Sequence, residues 1–82
     1  PEVSLPDPPG RSRLLHIHEN RPGVLNQINQ TFAAKGINIA AQYLQTVADI
    51  GYVVVDVEAN KAEEGLQELQ HIAGTIKTRL LH

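Results

Sequence analysis

An α+β fold of order βαββαβ, one antiparallel sheet with two helices on one face, is what these 82 residues predict. Three observations carry the prediction. The spacing of apolar residues switches between a period of two and one of 3.6 along the chain. Gly36 and Gly74 each close a helical stretch. Val53, Val55 and Val57 mark a strand with one consistently apolar face.

Pro1, Pro6, Pro8, Pro9 and Gly10 crowd the start, removing backbone donors and excluding a helix. Residues 1–12 therefore read as a linker from an upstream domain, and residues 13–82 as the folded unit. Residues 13–19 form a strand with Leu15 and Ile17 on one face and Leu14, His16 and His18 on the other. Asn20-Arg21-Pro22-Gly23 turns the chain into a helix whose stripe is Val24, Leu25, Ile28 and Phe32, with Gly36 as its left-handed stop. A second strand over residues 37–46 carries Ile37, Ile39, Ala41 and Tyr43 on one face, and Asp49-Ile50-Gly51 reads as a hairpin turn. The third strand, residues 52–58, points its valines 53, 55 and 57 one way and Tyr52, Val54, Asp56 and Glu58 the other. Asn60 with Glu63 reads as a capping box. The second helix follows, striped by Ala62, Leu66, Leu69 and Ile72 or Ala73, and residues 75–81 make a last strand. The helix-free sheet face is expected to carry Leu14, Val54 and other apolar side chains. That face and the unpaired edge strands invite a second copy, so a homodimer is expected.

Composition removes several functions. A net charge of −2 and three aromatic residues, Phe32, Tyr43 and Tyr52, argue against nucleic-acid binding. No cysteine is present, so disulfides and thiolate metal sites are excluded, as fits a reducing cytoplasm. No apolar run reaches the ~20 residues of a membrane span. No secretory signal is recognisable, and a first residue of Pro1 suggests a piece of a longer protein.

The first loop holds the candidate chemistry. His18, Asn20 and Arg21 end a strand just before Pro22-Gly23-Val24 opens a helix, whose free N–H groups suit a carboxylate. Asn20 both donates and accepts, which suits a zwitterion, and Gly23 admits close backbone approach. Asn38 opens the next strand. Each also has an ordinary structural reading: Asn20 as a helix cap, Asn38 as a turn residue, His18 as a solvated side chain and Arg21 as surface charge. His16 and His18 share a strand face, but no carboxylate lies at metal spacing and no HExxH occurs, so no metal is expected. Nucleophilic machinery and a glycine-rich phosphate loop are lacking. One enzyme reading remains. Arg21 after the first strand and Asn38 on the second are similar to the acylphosphatase pair, although Pro22 removes a donor that such a phosphate cradle needs.

HIHENRPGVLNQINQTFAAKGINIAAQYLQT, then GYVVVDVEA and GTIKTRLL, resembles the C-terminal ACT domains of bacterial D-3-phosphoglycerate dehydrogenases over essentially the whole chain. The resemblance implies a ferredoxin-like domain that pairs side by side into an eight-stranded sheet, with L-serine held at the homodimer interface. It implies that His18 and Asn20 contact serine from one subunit, with Gly23 at the turn and Asn38 reaching across from the other. The ligand is expected between paired first strands. It further implies feedback inhibition of a cytoplasmic parent enzyme that uses NAD and begins serine synthesis. This chain would hold no cofactor and no catalytic residue. The alternatives are an ACT domain for another amino acid, or one that only dimerises. Gly10 is followed by Arg11 where the family can carry paired glycines, so a stiffer hinge is expected.

Overall fold

The structure is a computed structural model and describes residues 10–82; the Pro1–Pro9 part of the expected linker lies outside the described residues. Four strands, β1 (Arg11–Glu19), β2 (Ile39–Val47), β3 (Ile50–Glu58) and β4 (Thr75–Leu80), form one antiparallel sheet of order β2-β3-β1-β4. Helices α1 (Val24–Ala34) and α2 (Ala62–Gln70) cover one face. The predicted βαββαβ order is the observed one.

β1 takes its place because it is paired on both sides. Leu14 opposes Val55 on β3 and Leu80 on β4, and His16 opposes Val53 and Thr78. A central β1 cannot pair with its own copy, so the expectation of a ligand between first strands fails. Among the described residues the free edges are β2 and β4.

The helix-covered face is built from Leu14, Val53, Val55 and Val57, all fully buried, against Ile28 and Phe32 of α1 and Leu69 of α2. Leu14 was expected on the bare face and lies on the covered one. Apolar residues occur on both faces of β1, so alternation alone does not say which is inward. Gly65 explains how closely α2 approaches: a Cβ there would stand 3.1 Å from Leu14 Cδ1 and 3.4 Å from Phe32 Cζ. The open face carries Leu15, Ile17 and Val54, half-buried, and the more exposed Tyr43 and Tyr52.

α1 ends as its sequence predicts. Gly36 has φ +72, its N–H donates to Ala33 O, and the Ile37 N–H donates to Phe32 O, the paired bonds of a Schellman stop. Ile37 is thereby turned inward and buried. A bulge between Ile39 and Ala41 then reverses the parity of β2, so Ile39 packs on the core while Ala41 and Tyr43 fall on the open face. The four residues therefore do not share a face.

Two local expectations also change. The hairpin loop is Ala48-Asp49, one residue early, with Ala48 at φ +54, and Ile50 and Gly51 already belong to β3. Asn60 lies inside a 3-10 turn (Ala59–Lys61) that runs into α2, and no side-chain cap forms at either element. A turn that continues as helix leaves Asn60 no cap position to fill.

Candidate functional site

β1 ends beside the hairpin, and the loop after it is tied down by backbone bonds. Glu19 N donates to Gly74 O (2.9 Å) and Asn20 N to Asp49 O (2.7 Å). Asn20 does not cap α1. Its Nδ2 donates to Ala48 O at 3.3 Å, leaving Oδ1 without a partner among the described residues. The α1 cap position belongs to Gly23, at φ +88, a conformation that disfavours any side chain. Among the described residues no side chain caps this helix, and its first turn holds no acid.

His18 is not solvated. Its residue is 3% exposed, and the ring stacks on that of His16, fully buried, with centroids 5.1 Å apart. His18 Nδ1 faces His16 Nδ1 at 3.2 Å, and His16 Nε2 faces Thr75 Oγ1 at 2.7 Å. Burial, and then the neighbouring His18, lower the His16 pKa from 6.5 to about 4, against a hydrogen bond to the Leu69 carbonyl that raises it. Burial also lowers that of His18. Both rings are therefore neutral near pH 7.

Two residues that sequence reasoning missed complete this cluster. A bulge between Ile17 and His18 brings Thr75, rather than Ile76, opposite His18, and so aims its hydroxyl at His16. Gly51 opposes His18 on β3, and the Nε2 end of the imidazole lies against it. A Cβ at that position would overlap His18 Nε2, with Cε1 at 2.7 Å and Cδ2 at 2.9 Å. The only sequence signals were the period-two histidines and a glycine inside a strand, which often marks such a close approach.

Asn38 is exposed and lies at the other end of the sheet, just before Ile39, whose cross-strand row runs through Val57 to Ser12. Six residue steps along β1 separate Ser12 from His18, roughly 20 Å. Within one chain His18, Asn20 and Gly23 are together and Asn38 is apart from them. The same separation defeats the acylphosphatase-like pair. Arg21 stays in the first loop, its Nη2 donating to Glu19 Oε1 at 2.5 Å, with no access to Asn38. Among the described residues no group of three or more His, Cys, Asp or Glu could hold a metal ion, and no helix is long and apolar enough to cross a membrane.

Comparison with known proteins bears on the family and the fold. Residues 14–77 match the family described as AHAS small subunit-like ACT domain. The chain is 62% identical over its whole length to D-3-phosphoglycerate dehydrogenase of Haemophilus influenzae, and it spans only 20% of that protein. Among solved structures it resembles the ACT domain from GTP pyrophosphokinase of Chlorobium tepidum, with a TM-score of 0.74 and 18% identity, covering 87% of this chain and 96% of that one. It also resembles the regulatory subunit of aspartate kinase from Thermus thermophilus, with a TM-score of 0.71 and 21% identity, over 87% of this chain and 49% of that one.

Proposed function

This chain belongs to the ACT-domain family, and from that premise we propose that it is the serine-responsive part of a cytoplasmic D-3-phosphoglycerate dehydrogenase, binding L-serine between two copies of itself. The observation that carries the reading is the separation of Asn38 from His18, Asn20 and Gly23 within one chain. Antiparallel pairing of the free β2 edge with its copy would bring the start of one β2 to the end of the other. The partner's Asn38 would then stand at the end where Thr46 adjoins Gly51 and Gly51 adjoins His18. The site becomes complete only in the pair.

The chemistry suits a small zwitterion. The leading N–H groups of α1 take the carboxylate, and the free Oδ1 of Asn20 accepts from the ammonium. Gly23 allows the ligand near the backbone. A ligand held by both copies binds the pair better than separated or splayed chains, which is the thermodynamic requirement for inhibition at a distance. Oxidation of 3-phosphoglycerate with NAD would belong to the rest of the parent enzyme.

Calorimetry with L-serine, glycine, L-alanine and L-threonine, on a sample shown dimeric by sedimentation, tests the ligand. L-Serine binds tightest under this reading; no heat at millimolar L-serine overturns it. Sharing of the site has its own test. Asn20→Ala and Asn38→Ala each abolish binding with the fold kept, while their equimolar mixture regains about a quarter of the wild-type sites, because each mixed dimer holds one intact site. A mixture that stays inactive, with exchange of subunits demonstrated, rejects a shared site.

A further inference from the structure

The polar chain running from Thr75 through His16 to His18 has a direction that the heavy-atom positions fix. Thr75 Oγ1 lies 2.6 Å from Ile72 O and 3.0 Å from Leu69 O, and a carbonyl only accepts, so the hydroxyl proton is committed there. Facing His16 Nε2 at 2.7 Å, the same oxygen must accept, which makes Nε2 the protonated nitrogen of His16. The buried, neutral ring then offers only a lone pair at Nδ1. His18 Nδ1, 3.2 Å away, must donate to it.

We propose that Thr75 and His16 are positioning residues that lock His18 with its proton on Nδ1, so that Nε2 presents a lone pair and the ligand atom it meets must be a donor. This rests on the reading of His18 as a ligand contact. The hydrogen comes from an ammonium or hydroxyl of the ligand, while the carboxylate is left to the backbone N–H groups of α1. Nε2 keeps a small open area although the residue as a whole is 3% exposed. Among the described residues the His18 side chain has no hydrogen bond besides that to His16, and no buried side-chain nitrogen or oxygen lacks a partner. The missing Cβ at Gly51 lets this end of the ring lie across β3, in the direction of the β2 edge. Ligand choice is thus set partly by a threonine on β4 that touches no ligand.

Long-range 1H–15N correlation spectra of the imidazoles test the relay in the ligand-free chain. His16 protonated at Nε2 and His18 at Nδ1 is the expected result; a proton on His18 Nε2 overturns it. Thr75→Val removes the accepting oxygen, so His18 populates both tautomers and L-serine binds ~tenfold more weakly, about the worth of one hydrogen bond. Thr75→Ser restores both readouts, which a purely structural loss would not require. A Thr75→Val protein that folds and keeps one His18 tautomer and full affinity overturns the proposal. Failure of the wild-type chain to bind L-serine overturns the functional reading instead, and the spectra still decide the relay.

Discussion

β1 hides polar groups on both of its faces, and it does so by opposite means. On the helix-covered face, His16 and His18 are buried as neutral rings in a hydrogen-bonded chain that ends at Thr75. On the open face, Arg13 meets Asp56 of β3 as a charged fork, Nε to Oδ1 at 2.6 Å and Nη2 to Oδ2 at 2.8 Å, with the side chains 9% and 5% exposed. That hydrogen bond holds the Asp56 carboxyl below the usual range. The neutral chain carries direction, since each atom is donor or acceptor in only one arrangement. The ion pair carries registry instead, because its geometry is met only when Arg13 and Asp56 are directly opposed.

The largest effect should come from breaking the charged side. Arg13→Met takes the guanidinium from a buried carboxylate and should cost about 3–5 kcal/mol, whereas Arg13→Met with Asp56→Leu should regain most of it. Urea unfolding of the three proteins checks this, and a double variant no better than the single would show that the pair does more than neutralise itself. The neutral side breaks with acid. Because burial puts the folded-state pKa of His16 near 4, below the 6.5 of a free histidine, its contribution is complete above pH 6.5 and is lost as pH falls from there towards 4. The loss is of order 3 kcal/mol. His16→Gln should flatten that part of the stability profile, measured by denaturant midpoints between pH 4 and 7. The smallest effect separates the faces by packing alone. Val55→Thr on the covered face should cost about 1–3 kcal/mol, and Val54→Thr on the open face no more than about 0.5 kcal/mol. Equal losses in thermal unfolding would mean that the open face is covered in solution.

The contrast also explains what was legible beforehand. Element order and the α1 stop could be read directly, because Gly36 and the three alternating valines each satisfy one local rule. The inward side of β1 could not. Placing histidines beside Leu14 in the core breaks the rule that polar residues face out, and the hydrogen-bond partner that makes it tolerable, Thr75, comes from a distant part of the sequence. The bulges in β2 and β4 are register choices made by neighbouring strands, so neither the turn of Tyr43 to the open face nor the aim of Thr75 was visible. Of the candidate residues, His18, Asn20 and Gly23 fell together because they are adjacent in sequence. Asn38 stands apart within one chain, where only the family resemblance gave it a role. Gly51 passed as a turn residue, since its function depends on the ring packed over it.

One row of the sheet has a mechanical meaning. Ile39, Val57 and Ser12 lie side by side across β2, β3 and β1, and next to Ser12 is Arg11, where the preceding chain joins the domain after Gly10. Under the proposed function, a ligand's pull on Asn38 would be delivered, through two rungs of backbone hydrogen bonding, to Arg11 at the start of β1. The lever arm is two strand spacings, about 10 Å. Torque of this kind needs no relay of side chains, only a sheet too stiff to shear.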